Sequence, residues 1–463
     1  MAVRRDSQGL EVAGASADAV AAIDFLTDEW LRQGNRLAGF LETAGRDADV
    51  PLTQMLAACL CLTMDSPDGE KEGLRFLAAA RAAMRAAGPR ECGWLAAMEA
   101  WAAGDNATAF DRFEALVREW PRDLLALKMG QLHAFNRGDS EGLLRIAEIA
   151  WAANPDRSHV RGMRAFGLEE CNRLDEAEAE ARAAVETDRR DPWSHHAVAH
   201  CLEARGRMDE GVAWMASVAD TWEGCNSFML THNWWHVALF EIDRDRTDAA
   251  LELFDRRVWG VWKEFCQDQI NAVSLLARLE LRGVDAGPRW ADIATYLAPR
   301  LHEHYSPFLD LHYLYGLARA GRDAAVTEML ASLEDRAARA QPFERKAWRD
   351  AAVPAAHGLA AHARGDMGEA ARLLGLALPS LPAIGGSHAQ RALFGALHLD
   401  ALMHADWNDA ALAILRADER DRPRVAATKR SIAAICERLG RAQEAAAARL
   451  DLQRLSTPSR SRA

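Results

Sequence analysis

Asn172-Arg-Leu-Asp-Glu176 and Gly206-Arg-Met-Asp-Glu210 are two copies of one turn, 34 residues apart. The same step backwards reaches Gly138-Asp139 and then Gly104-Asp105. Gly or Asn at the head of each turn suits a helix whose chain leaves in the left-handed conformation. The aspartate that follows can cap the next helix. Pro121 and Pro155 are also 34 apart and fall between these turns, where proline closes a helix. Small residues (Ala97, Ala109, Ala165, Ala177, Ala199) fall where two helices must approach closely. Alternating β-branched runs are missing. Segments rich in Ala, Leu, Glu and Arg with helical periodicity extend from Ala19 to about Leu455.

A 34-residue helix-turn-helix unit with a terminal proline is the tetratricopeptide pattern. After residue 223 the period loosens, with further turns at Asp243–Asp245, Gly283, Gly321, Gly365-Asp366, Asp406 and Gly440. The expected fold is all-α, a tetratricopeptide-type right-handed α-solenoid of stacked helix pairs. Its expected division is an N-terminal helical cap over 1–88, the solenoid over 89–455 and a disordered tail over 456–463. Gly283–Pro288 and Pro379–Gly386 read as loops within one continuous body.

With 49% hydrophobic and 27% charged residues among 463, the composition is that of an ordinary soluble protein. A net charge of −12 argues against a general nucleic-acid or anionic-membrane binder, which needs basic surface. Lysine occurs only at positions 71, 128, 263, 346 and 429; arginine carries the rest of the positive charge. The eight cysteines include no Cys-x-x-Cys pair, and Cys59, Cys61, Cys201 and Cys436 sit among apolar residues as small buried hydrophobes. Arg4-Arg5 is followed by Asp6-Ser-Gln-Gly9 and not by an apolar signal core. No apolar stretch reaches spanning length. The expected location is the cytoplasm.

Two segments carry histidines four apart: His196-Ala-Val-Ala-His200 followed by Glu203, and His232-Asn-Trp-Trp-His236. That spacing puts both imidazoles of a pair on one helix face. The segments start 36 residues apart, close to one repeat. Trp193, His196, His200 and Glu203 then share the groove face of one first helix, and His232 and His236 lie beside His196 and His200 on the next. Trp235 matches the packing position of Ala199, and Trp234 flanks the groove or the seam.

Imidazole pairs at i, i+4 on facing helices present ligands to one ion, and a carboxylate completes the set. His196, His200, His232 and His236 are therefore candidate ligands for a divalent metal whose identity is open. With Glu203 they are also candidate catalytic acid-base groups. The competing reading is a buried polar network that fixes the superhelix. Asp268, Asn271 and Arg278, then His312, then His388 and Arg391, come from later first helices and are candidates to reach the same groove. The Gly385-Gly386 break before Ser387 exposes helix N-terminal amides that favour an anion, or is simply a capped helix. Cys201 and Cys225 read as inert thiols. No Gly-rich phosphate loop, His-Glu-x-x-His or Gly-x-Ser-x-Gly motif occurs.

Trp193-Ser-His-His-Ala-Val-Ala-His200, Thr231-His-Asn-Trp-Trp-His236 and Ile384-Gly-Gly-Ser-His-Ala-Gln-Arg391 together resemble the tetratricopeptide repeat protein 38 family. Glu99-Ala-Trp-Ala-Ala-Gly-Asp105, Leu275-Leu-Ala-Arg-Leu-Glu-Leu-Arg-Gly283 and Asp310-Leu-His312 add to the resemblance, which spans most of the chain. Phe240-Glu-Ile-Asp243 departs from the earlier repeats, its turn having no glycine. The resemblance implies an all-helical cytosolic repeat protein and leaves the chemistry open. Three functions are compatible with these residues. The first is a binder of a peptide or small anionic molecule in a concave His/Glu/Trp groove, with no nucleic acid or membrane as partner. The second is a metal-assisted enzyme, and the third a scaffold without chemistry. Oligomeric state is not encoded in any feature of the sequence.

Overall fold

Every turn read from the sequence contains a residue in the left-handed region. Gly104, Gly138 and Gly206 hold it at φ +76°, +68° and +66°, and Asn172 holds it at +58°. In the turn without glycine, Asp245 takes the role at φ +61°; a short polar side chain tolerates this conformation better than most. The computed structural model describes residues 4–456 as 24 α-helices joined by such turns. The architecture is a tetratricopeptide-type α-solenoid. Consecutive helices pair, and the first helices Ser158–Glu170, Pro192–Ala204, Ser227–Asp243, Cys266–Glu280, Pro307–Arg319 and Val353–Arg364 each lie against the next.

Aspartates cap several of these helices as the sequence suggests: Asp105, Asp123, Asp139, Asp191 and Asp366 each accept from a backbone N–H in the first turn. At the N-terminus a short hairpin pairs Arg4–Arg5 with Glu11–Val12, an element the periodicity did not suggest. Asp6 Oδ1 accepts from the Gln8 and Leu10 amides and shapes its turn, and the buried Arg90 ties Asp6 to Asp123. Pro379–Gly386 was expected as a loop; its first part continues as a 3₁₀ helix, Leu378–Ile384. The expected tail begins at Ser456, the last residue of the helix Ala442–Ser456, and its remainder lies outside the described residues. Among the described residues no helix is long and apolar enough to cross a membrane.

The superhelix winds tightly enough for distant repeats to close over its concave face. The segment around Leu378–Arg391 enters that face. Gly138 lies against the Pro382 carbonyl, Gly385 against the Asn136 backbone, and Arg278 donates to the Ala389 carbonyl at 2.6 Å. From the other side the N-terminal helices meet later repeats. The Asn226 amide donates to Gln33 O at 2.6 Å, and Tyr305 Oη donates to Glu70 Oε2 at 2.9 Å. These contacts cover part of the groove.

Candidate functional site

Asp191 and Asn226 set the register of the two histidine-bearing helices, accepting from the Ser194 and Met229 amides. Pro192, with φ pre-set for a first helical residue, starts the first of them. The i, i+4 pairs then face each other across the helix interface as their spacing predicts. His196 Nε2 is 2.9 Å from His200 Nε2 and 3.1 Å from His232 Nε2, and the His200 and His236 rings are 4.6 Å apart. Each of the four offers one ring nitrogen, and these four atoms lie within 4.8 Å of one another. All four side chains are buried.

An oxygen atom stands beside the outer nitrogen of three rings. His200 Nδ1 is 3.4 Å from Glu169 Oε2, His236 Nδ1 is 3.2 Å from Glu203 Oε2, and His232 Nδ1 is 3.0 Å from Asn271 Oδ1. A ring that donates through Nδ1 and is neutral keeps a lone pair on Nε2. His232, and His236 on the same basis, therefore keep an inner Nε2 lone pair, while the Nε2 atoms of His200 and His232 both face His196 Nε2, which can carry one proton at most. His236 Nε2 and His196 Nδ1 are buried without a hydrogen-bond partner.

Charge is distributed unevenly over the cluster. Burial pulls His196 and His236 well down, with neighbouring histidines adding to the effect, and brings His232 to about 3. His200 moves the other way: burial opposes its charge, but Glu169 outweighs it. Glu169, despite burial, is held at about 2 by His200 and His388. The site thus combines three neutral imidazoles, His196, His232 and His236, with a His200–Glu169 pair in which the carboxylate is ionised and the imidazole holds its proton more tightly than usual. Aromatic faces restrict the rings: His232 stacks on Trp235 with centroids 5.0 Å apart, and Trp193 lies 4.9 Å from His196.

Two of the nitrogen–nitrogen distances suit a transition-metal site. Metal–nitrogen bonds of about 2.0–2.1 Å put ligand nitrogens about 3.3 Å apart in a tetrahedron and about 2.9 Å apart at an octahedral edge. The two short contacts, 2.9 and 3.1 Å, fall in this range. Carboxylates and amide oxygens on the outer ring nitrogens are the usual partners of metal-bound histidine, and an all-imidazole set suits zinc, copper, iron or nickel.

A cavity of about 800 Å³ adjoins the cluster, with His196 and His232 in its wall beside Trp193, Lys128 and Phe228. Of the other residues singled out in the sequence, Asn271 supports His232 directly. Asp268 stands behind it, accepting from Thr231 Oγ1 and the Trp262 amide, and burial pushes it up to about 7. Arg278 braces the closing segment at Ala389, with its guanidinium 5.3 Å from the Trp235 ring centroid. Trp234 takes the seam and is absent from the cavity wall, its ring against Trp222 and Arg257. His312 also stays outside the cluster and the cavity wall. Its Nδ1 donates to the Phe308 carbonyl at 2.7 Å, its ring packs on Phe308 and Phe394, and burial pulls it down to about 4.

His388 and Arg391 meet a pair of carboxylates that the sequence reading passed over. His388 Nδ1 is 3.6 Å from Glu169 Oε1, and Arg391 is 3.5 Å from Glu170 Oε2. The anion expected at the Ser387 helix N-terminus is Glu170 itself, which accepts from the His388 amide at 3.0 Å, while Ser387 and Gln390 form a capping box. The missed Glu169 stands three residues before Asn172, as Glu203 stands three before Gly206, so the repeat contained the signal. Cys201 and Cys225 are buried; burial pushes the Cys201 thiol well up and that of Cys225 to about 12, which suits the inert reading.

No family model matches the chain. Among solved structures it is similar to the human IFIT1 dimer with PPP-AAAA, at 11% identity and TM-score 0.41 over 96% of each chain. It is also similar to the P58(IPK) TPR domain, at 13% identity and TM-score 0.22, over 81% of this chain and 95% of that one.

Proposed function

We propose that this chain is a binding protein of the tetratricopeptide repeat protein 38 kind, located in the cytoplasm. In this reading it holds one transition-metal ion on His196, His200, His232 and His236 and takes a small molecule into the adjoining cavity. The observation that carries the reading is the inward convergence of the Nε2 atoms of His200 and His232 on that of His196, with the outer nitrogen of His232 bonded to Asn271 and that of His200 beside the Glu169 carboxylate. Imidazole lone pairs facing one another in a buried site repel; a cation between them turns the repulsion into ligation. A purely structural polar network would instead pair its buried donors with acceptors, whereas His236 Nε2 and His196 Nδ1 have no partner.

The Leu378–Arg391 segment already fills part of the concave face, which favours a small molecule over a peptide. Net negative charge keeps nucleic acid outside the proposal. A metal-assisted reaction on the bound molecule is the second reading, favoured by the position of His196 and His232 in the cavity wall, where a ligand can approach them. Elemental analysis of protein purified without a histidine tag tests the proposal. Near one equivalent of zinc, iron, copper, nickel or manganese per chain is expected. Protein free of metal after growth with each of these ions overturns it.

A further inference from the structure

Lys128 is one of only five lysines in an arginine-rich chain, and it lines the cavity. Lys263 and Lys429 pair with carboxylates, at 2.8 Å from Asp292 and 2.6 Å from Glu419. Lys128 makes no hydrogen bond or ion pair among the described residues. Its ammonium stands 3.9 Å from the Trp193 ring centroid, in the wall of the cavity. Burial pulls its pKa down to about 8, with Asp191 opposing, so the ammonium remains the main form at pH 7. Asp191 is not free to neutralise it, since Ser194 Oγ donates to it at 2.8 Å and His159 lies 3.5 Å away. The carboxylates that line the same cavity, Asp65, Asp68 and Glu72, come from the segment between the helices Pro51–Leu62 and Pro67–Ala83 or from the latter's first turns, and none pairs with Lys128.

A cation held against an aromatic face, in an apolar wall and without an anion of its own, is incomplete. Cation–π attraction alone does not replace the hydration that an ammonium loses at such a wall. Trp193 also packs on His196, so the ammonium and the imidazole cluster border one ligand space.

We propose that Lys128 and Trp193 form an anion subsite, so that the cavity takes a small molecule with a carboxylate or phosphate group on an apolar body. The anionic group sits on Lys128 Nζ, the body lies along Trp193 and the neighbouring Leu132 and Phe135, and its remaining end is directed at His196 and His232. The subsite rests on the reading of the cavity as a binding site and does not depend on the metal.

Calorimetric titration of the full chain with phenylacetate, phenyl phosphate and the neutral phenylacetamide tests this, using both chelator-treated and metal-loaded protein. One anionic probe is expected to bind about tenfold or more tightly than the amide, as a charge-assisted hydrogen bond would give. Whichever anion binds better identifies the group. Lys128→Met should abolish the preference and Lys128→Arg retain part of it, with metal content unchanged in both. Equal binding of acid and amide to the unmodified protein overturns the subsite without recourse to any variant, as does a preference that survives Lys128→Met. Binding of none of the three probes at millimolar concentration overturns the cavity reading as well. Loss of metal binding alone counts only against the histidine site.

Discussion

Glu169 and Glu203 occupy the same place in successive repeats, and each turns its carboxylate on a histidine of the next first helix. Glu169 Oε2 is 3.4 Å from His200 Nδ1, and Glu203 Oε2 is 3.2 Å from His236 Nδ1. The repeat thus provides an imidazole and its orienting carboxylate as one unit, used twice. A partner of this kind fixes the tautomer and strengthens the donor nitrogen. Glu169→Gln and Glu203→Gln should each weaken metal affinity by about 10–100-fold, measured by competition with a chromophoric chelator, while the helical circular dichroism stays unchanged. Unaltered affinity in both variants contradicts the assignment.

Closure of the superhelix can be tested at Gly138, which has φ +68° and lies against the Pro382 carbonyl. Gly104 has a similar φ of +76°, but nothing lies near a Cβ built there. Gly104→Ala should cost about 1–2 kcal/mol for the left-handed conformation alone. Gly138→Ala adds a steric clash and should cost about 1–3 kcal/mol more. Urea denaturation of both variants compares them, and equal losses would mean that the segment does not close on the turn.

Acid should destabilise the fold through histidines that must stay neutral. His133 Nδ1 contacts Asn106 Oδ1 at 2.9 Å and its Nε2 is buried without a partner; burial, then Arg137, pulls it to about 3. In the unfolded chain the value returns to about 6.5. The folded value is the lower one, so the stability linked to His133 is complete above about pH 6.5 and is lost as pH falls toward 3. Each such group contributes a slope of up to about 1.4 kcal/mol per pH unit. The unfolding free energy should fall between pH 6.5 and 4, and His133→Gln should show a slope shallower by one proton. Equal slopes contradict this role for His133.

Thiol labelling of the folded chain should begin at Cys92. It is exposed, whereas Cys59, Cys61, Cys201, Cys225, Cys266 and Cys436 are buried. Cys92→Ser should remove the fast phase of the reaction with a disulfide reagent, and the buried thiols should react only on unfolding. A fast phase that persists in the variant would trace to the half-buried Cys171 or to an accessible buried thiol, and would contradict the assignment to Cys92.

Local rules carried the sequence reading as far as neighbouring repeats. Turn chemistry placed the helix ends, and where glycine was missing after Phe240 an aspartate, Asp245, took the left-handed position. Spacing brought together His196, His200, His232 and His236, because an i, i+4 pair and a repeat of about 36 residues fix a helix face and its neighbour. Glu169 was legible by the same offset as Glu203. Lys128 was not, because its importance comes from a cavity whose walls include residues near 30, 65, 130, 230 and 265. The burial of the site was equally hidden. It depends on Pro382 meeting Gly138 and on Ala389 meeting Arg278, contacts between repeats that no periodicity links. Trp234 shows the limit of face arguments, since one step from Trp235 turns its ring to the seam.

X-ray absorption at the edge of whichever metal copurifies with the tag-free chain addresses the histidine centre most directly. The account predicts three or four imidazole nitrogens at about 2.0–2.1 Å, and loss of that signature in the His196→Ala and His236→Ala variants. A shell of oxygen or sulfur donors, or an imidazole signature unchanged in both variants, would contradict it.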